Sequence, residues 1–369
     1  MRGHLGIIGG GQLGLMLAQA ADELGVVVWL ADRVPDAPAA RRSEFRLVQS
    51  WGEAVQVLTP GAQAVTWDRE DVPLDALHNA AGLVPSAAAL AAVQDRLAQK
   101  QLLDAIGLPT APWIAAANAS DAGQVIAALG LPVMVKARRG GFDGRGQMVA
   151  RDRASLEAAL DRFAQSGCIV ESLIPFDDEC AVLVTRSADD DLRHYPMVWT
   201  YQDDGQLSWA MAPHPRESAL GTVLRPMIAR LVRKLNYVGT LAMECFRCGD
   251  TVLVNEIAPR VHNSGHWTIE GCVSSQFSNH VRAACGLPLG DTALRQHCLM
   301  LNCIGTMPEQ IERPGVTWHD YGKKPRPGRK VGHLTVVGRD AAELQERVAA
   351  LPPDLLKRYA LPTGLRKAA

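Results

Sequence analysis

The apolar positions of this chain fall into short runs set off by glycine and proline, and the runs change period from strand-like to helix-like from the first residues onward. Residues 5–8 read as a buried strand, 9–14 as a tight glycine turn, 15–24 as a helix and 26–31 as a second strand, which makes a βαβ beginning. Helical segments at 52–58 and 73–81 alternate with strand-like 64–66, continuing an open α/β sheet to about residue 90. Ser86 is placed to cap a long helix over 87–106, which Gly107 and Pro109 stop and which marks a domain boundary. A helix at 120–129 and strands at 133–137, 148–150 and 168–171 follow. Two more strand-like runs, a polar turn at Asp203-Asp-Gly205 and a helix over 220–235 lead to residues 241–257. There, apolar runs at 241–246 and 251–257 flank Gly249-Asp250, a β-hairpin signature. A helix at 274–285, strands at 298–304 and 334–337 and a last helix at 341–350 complete the pattern. The expected class is α/β, or α+β overall, without internal repeats.

At 369 residues the chain is too long for one core and should hold two or three domains. Its 47% hydrophobic and 21% charged residues describe an ordinary globular protein. The net charge of −1 gives no global field toward nucleic acid or anionic membrane, so any basic function is local. No apolar run reaches membrane-spanning length, and the amino terminus meets glycine too early for a signal peptide. The expectation is a cytoplasmic protein that contacts neither nucleic acid nor membrane. Eight cysteines scattered among apolar neighbours fit reduced, buried thiols, and Cys245-Phe-Arg-Cys248 lacks a second pair at zinc-site spacing.

The hairpin carries the densest chemistry, one carboxylate in each strand: Glu244 and Glu256. If its loop has an odd number of residues, the two face each other across the ladder, where like charges repel unless something positive lies between them. A two-residue loop would break that pairing. With Asn255 alongside, the pair offers hard oxygen ligands for Mg²⁺ or Mn²⁺ arriving with phosphates; the alternative is two ordinary surface glutamates. Behind them, Pro259-Arg-Val-His-Asn-Ser-Gly-His266 concentrates further polar groups. Residues 9–14 match G-x-G-x-x-G with Asp32 near the ribose-binding position, so a nicotinamide dehydrogenase is an alternative. Any phosphate at a helix amino terminus would serve those glycines equally well. Lys136 precedes Arg138-Arg-Gly-Gly-Phe-Asp-Gly-Arg-Gly-Gln147, which reads as a hairpin tip able to close over phosphates. The basic segment 321–333 reads as a phosphate-binding loop rather than a nucleic-acid patch.

Four stretches together, Arg96-Leu-Ala-Gln-Lys-Gln101, Gly140-Gly-Phe-Asp-Gly-Arg-Gly-Gln147, Asn255-Glu-Ile-Ala-Pro-Arg-Val-His-Asn-Ser-Gly-His266 and Arg326-Pro-Gly-Arg-Lys-Val-Gly-His333, resemble the 5-(carboxyamino)imidazole ribonucleotide synthases of purine biosynthesis. The resemblance spans nearly the whole chain and implies an ATP-grasp fold: a Rossmann-like domain at 1–92, an ATP-grasp domain at 93–304 with a mobile lid at about 109–172, and a small domain at 305–369. It implies carboxylation of 5-aminoimidazole ribonucleotide from ATP and bicarbonate through carboxyphosphate, by a homodimer. By the same resemblance, ATP is bound by Arg96, Lys136, Gly141, Phe142, Asp143, Gly144, Arg145, Gly146, Gln147, Glu171, Ser172, Leu173, Ile174, Glu179, Asn255 and Glu256. Arg260, His262 and Asn263 surround bicarbonate or carboxyphosphate, and Asp143 and Arg145 approach the ribonucleotide. Gly11, Gln12, Leu13, Arg329 and Lys330 hold that substrate, and Glu244 and Glu256 the metal. Phe142 stands where the family usually has Tyr, Leu15 where Arg is common and Tyr201 where relatives can carry His. A related ATP-grasp ligase, such as formate-dependent glycinamide ribonucleotide transformylase, is the alternative within the superfamily.

Overall fold

The first strand, His4–Ile8, lies parallel between Val28–Asp32 and Ala62–Trp67, with Phe45–Leu47 at the edge, in the computed structural model, which describes residues 3–42, 44–141 and 146–365. Helix Gln12–Glu23 leaves this strand through the glycine turn and buries Met16, Leu17 and Ala21. Ser50 caps helix Trp51–Leu58 by accepting from the Glu53 amide. The helix expected at 73–81 is only a short 3₁₀ turn, Leu74–Leu77.

Ser86 caps as expected, but the single helix expected at 87–106 is two, Ala87–Gln94 and Arg96–Ala105. Asp95 adopts an extended conformation between them, and its carboxylate accepts from the Leu97 amide to start the second helix. That carboxylate also receives Arg138 at 3.0 and 2.7 Å and Arg139 at 3.3 Å, which a continuous helix would not permit.

Beyond this joint a four-stranded antiparallel sheet runs in the order Trp113–Ala116, Cys168–Ser172, Val133–Ala137, Gln147–Ala150. Helices Ala122–Leu129 and Arg153–Phe163 bury Val125, Leu156 and Leu160 against Val133 and Val135. The second of these helices starts at a capping box between Asp152 and Ser155.

The third sheet has nine strands and contains the hairpin Gly239–Cys248 and Thr251–Ala258 at one edge. Next come Asp178–Arg186, Val198–Asp203, Gln206–Ala212, His297–Ile304, Lys330–Gly338 and Val316–Asp320, with Leu192–His194 paired to Asp178–Arg186. Helix Glu217–Lys234 packs Leu220, Leu224, Ile228 and Leu231 onto Val182, Val184, Leu241 and Met243. Each such fully buried side chain contributes roughly 1.5–3 kcal/mol. The segment after residue 304 extends this sheet through Lys330–Gly338 instead of building its own, and helix Ala341–Ala349 covers it.

One imidazole fastens the first sheet to the third. The Thr240 amide donates to His280 Nδ1 at 3.0 Å, so the proton sits on Nε2, which donates to Thr66 Oγ1 at 2.8 Å. Among the described residues no helix is long and apolar enough to cross a membrane. All eight cysteines are unpaired.

Candidate active site

The hairpin turns through two residues, since Cys248 pairs with Thr251, and that register taken alone would set Glu256 opposite Met243 on the face packed into the core. Instead the register shifts by one between Glu244 and Cys245, where Asn255 is the extra residue of a β-bulge. Val252 and Val254 face the core before the bulge and Ile257 after it, so the inserted residue turns Glu256 to the opposite face. Glu244 and Glu256 consequently pair across the ladder, as an odd loop would have required, but by a different route. Burial first, then the carboxylates of Glu256 and Glu179, push Glu244 up to about 8, while Lys330 and Arg260 oppose the rise. Burial likewise pushes Glu179 up to about 7, against the Gln202 amide and Lys136.

The bulge also presents Asn255 to the small sheet: Lys136 donates to its Oδ1 at 3.0 Å. Lys136 lies 2.6 Å from Glu171 as well, and Lys100 approaches the other oxygen of Glu171 at 2.7 Å. All three are at least nine-tenths buried. Burial works against the Glu171 carboxylate, but the two lysines outweigh it and hold its pKa below the usual range. Lys100 belongs to this site although sequence reasoning assigned it no role. The available signal was its position four residues after Arg96, on the same face of helix Arg96–Ala105.

Arg96 donates to the carbonyls of Ala137 and Gly141, both at 2.9 Å, and lies 3.6 Å from Glu256. It thus ties the entry of the glycine-rich segment to the hairpin. Gly146 and Gln147 close that segment, the Gly146 carbonyl accepting from Ala137 at 2.8 Å and Gln147 pairing with Lys136. Phe142, Asp143, Gly144 and Arg145 lie outside the described residues. Ser172, Leu173 and Ile174 form the half-buried connection from Cys168–Ser172 toward Glu179, with the Ser172 and Leu173 amides bonded to the Pro112 and Pro132 carbonyls.

After the hairpin, Arg260 pairs with Glu70 of the first domain at 2.5 Å. Gln276 grips His262 by both its amide and its carbonyl, at 2.9 and 2.6 Å, which aims the ring to within 3.7 Å of Glu244. Burial, with Arg260 and Lys330 adding to it, holds His262 well below the ordinary histidine value. Asn263 exchanges hydrogen bonds with Asn302, a partner strand pattern could not indicate. His266 is fully buried against Phe277 and His333.

Gly11, Gln12 and Leu13 open the first helix, and Lys323 reaches across from the basic segment to Gln12. Lys330 begins its strand almost fully buried, its charge acting on Glu244, whereas Arg329 is part-exposed and donates to the Lys324 carbonyl. Asp32 cannot serve a ribose: its two oxygens accept from the Gly10 and Val34 amides at 2.6 and 3.0 Å, and it is 3% exposed. Leu15 packs against the first core and Tyr201 stacks on Trp209.

The paired glutamates fit a hard divalent cation, since three carboxylates crowd a face where Glu244 is driven toward its protonated form. Among the described residues no group of three or more His, Cys, Asp or Glu side chains is arranged to hold a metal. Glu244 and Glu256 would therefore leave most of an ion's shell to phosphate oxygens and water.

Residues 101–277 match the ATP-grasp domain family, 2–94 the ribonucleotide synthetase preATP-grasp domain and 298–347 the phosphoribosylaminoimidazole carboxylase C-terminal domain. Fold and site together define an ATP-grasp ligase. The chain is 40% identical over 354 residues to N5-carboxyaminoimidazole ribonucleotide synthase of Pseudomonas aeruginosa, covering 94% of this chain and 97% of that one. To the Escherichia coli synthase it is 36% identical, with 96% of each chain covered. The crystal structure of the Thermus thermophilus synthetase superposes with a TM-score of 0.88 at 39% identity, covering 95% of this chain and 99% of that one. That of the Aspergillus clavatus synthase with ADP and 5-aminoimidazole ribonucleotide gives 0.86 at 28% identity, covering 96% and 98%. The chain belongs to the N5-carboxyaminoimidazole ribonucleotide synthase family.

Proposed function

We propose that the chain joins bicarbonate to the amino group of 5-aminoimidazole ribonucleotide at the expense of ATP, giving N5-carboxyaminoimidazole ribonucleotide, ADP and phosphate in purine biosynthesis. The observation that carries this reading is the bulged hairpin, which sets Glu244 opposite Glu256 while offering Asn255 to Lys136.

Lys136, Lys100 and Arg96 surround the γ-phosphate side of ATP, and residues 172–174 with Glu179 line the nucleoside side. Bicarbonate is a poor electrophile, so one of its oxygens first attacks the γ-phosphorus and ADP leaves, giving carboxyphosphate. Glu244 and Glu256 would hold a divalent cation, Mg²⁺ or Mn²⁺, which would supply charge neutralisation at the transferring phosphoryl group. Arg260, His262 and Asn263 orient bicarbonate, with His262 held neutral by burial and by the charges of Arg260 and Lys330. The acceptor nitrogen attacks the carboxyl carbon and loses a proton as phosphate departs. Water must be kept away meanwhile, which is the role we assign to residues 140–147. Gly11, Gln12, Leu13, Arg329 and Lys330 bind the acceptor, and Asp143 and Arg145 approach it.

The proposed division into 1–92, 93–304 with a lid at about 109–172, and 305–369 is supported in its first boundary by the family matches at 2–94 and 101–277 and in the lid by the separate small sheet, while the third match begins at residue 298 and its strands continue the large sheet. A cytoplasmic location is supported by the eight unpaired thiols. A homodimer rests on family resemblance, and light scattering tests it. ADP release that requires both bicarbonate and 5-aminoimidazole ribonucleotide tests the reaction. Release driven by formate and glycinamide ribonucleotide instead would identify the related transformylase.

A further inference from the structure

The glycine turn at 9–14 matches a phosphate-binding fingerprint, yet the space a phosphate would enter is already taken. Strands His4–Ile8 and Ala62–Trp67 are neighbours, and the crevice beyond their carboxyl ends is where open α/β sheets hold ligands. Asp68, the residue after the second strand, projects into it and is 7% exposed. Its Oδ2 accepts from the Gly14 amide at 3.2 Å, and the Gly11 amide also donates to it. The fit is close: a Cβ on Gly9 would lie 1.7 Å from Asp68 Oδ1, and one on Gly11 2.7 Å from Oδ2. Asp32, taking the Gly10 amide, holds the other side of the turn. Arg69, paired with Asp71 at 2.5 Å, partly balances the two carboxylates.

We propose that Asp68 is a built-in replacement for a ligand phosphate: its carboxylate fills the anion seat of the glycine turn, bars phosphate groups from it, and holds Gly11-Gln12-Leu13 in the conformation that meets the acceptor ribonucleotide. Asp68 is thus a positioning residue for the acceptor, a role that rests on the reaction proposed above. The glycines serve the close approach of an internal anion, whose partners are the amides of Gly11 and Gly14.

The test compares full-length Asp68→Asn and Asp68→Ala with the wild type, following ADP release as the acceptor is varied at saturating ATP and bicarbonate. Both variants should raise the acceptor KM about tenfold, as expected for losing a charged hydrogen-bond acceptor, with kcat and the ATP KM within about twofold of wild type. Formate matches the group removed in Asp68→Ala. At about 50 mM it should restore that variant's acceptor KM and raise its thermal midpoint, changing neither in the wild type. A wild-type acceptor KM in the nearly isosteric Asp68→Asn overturns the proposal, as does an Asp68→Ala enzyme indifferent to formate in both measurements. If Asp68→Ala does not fold, the Asp68→Asn arm decides. A wild type that releases no ADP with bicarbonate and acceptor present refutes the reaction instead, and the formate-dependent thermal midpoint still judges the seat.

Discussion

Lys136 donates to Asn255 Oδ1 at 3.0 Å, joining the small sheet to the single residue by which the hairpin departs from a regular ladder. The bulge therefore does two things at once, turning Glu256 out of the core and supplying an acceptor for Lys136, the lysine proposed to contact the nucleotide. Deleting Asn255 separates them. Without it the two-residue turn would pair Glu256 with Glu244 directly and leave Ile257 facing the core, so the variant should fold with a thermal midpoint within a few degrees of wild type. Its ATP KM should rise about tenfold or more through loss of the charged hydrogen bond. A deletion variant with normal ATP kinetics would remove Asn255 from the nucleotide site.

Glu256→Gln should leave the fold intact, since the side chain is 39% exposed and contributes no core packing. Turnover should fall at least about a hundredfold, because the proposed metal site loses one ligand charge where negative charge accumulates in the transition state. Near wild-type rates at limiting Mg²⁺ would refute the metal assignment.

Lys330→Ala should raise the acceptor KM roughly ten- to a hundredfold, the range expected for a charge-assisted phosphate contact, while the ATP KM hardly moves. Lys330 is 9% exposed and its charge acts on Glu244, so the ATP KM is the control that discriminates. If the ATP KM rises alone, this lysine serves the phosphoryl group being transferred.

His280 predicts an acid sensitivity. Burial lowers its pKa to about 4, below the ordinary value near 6.5, so the folded protein holds the neutral ring more firmly than the unfolded chain does. Its contribution to stability is complete above about pH 6.5 and is lost as pH falls toward 4, by roughly 2–4 kcal/mol. His280→Phe should be less stable than wild type at pH 7.5, and the gap should narrow on acidification. Parallel pH–stability curves for the two proteins would contradict this.

The sequence pattern located most strands and helices, because glycine, proline and period mark them locally. It located the two glutamates for the same reason, but not the geometry that joins them. A turn of two residues and a compensating bulge look, in sequence, like a longer loop. The break at Asp95 was hidden because it depends on Arg138 and Arg139, more than forty residues away. Asp68 and Lys100 escaped notice for a similar reason: their partners, Gly14 and Glu171, are brought close only by the packing of separate strands and helices. The short strands Trp113–Ala116 and Val316–Asp320 sit at sheet edges, where half-exposed residues blur alternation.

The trio of Lys100, Glu171 and Lys136 can also be viewed as a question of electroneutrality. Two lysines share one carboxylate in a region almost closed to water, where burial lowers the pKa of Lys100 against the pull of Glu171. If a polyphosphate enters there as proposed, its charge favours the ammonium form of both lysines, so nucleotide binding completes an ionic lattice instead of competing with one. Dissolved ions screen such enclosed charges weakly. Nucleotide affinity should therefore persist at salt concentrations that would erase an attraction made by surface lysines.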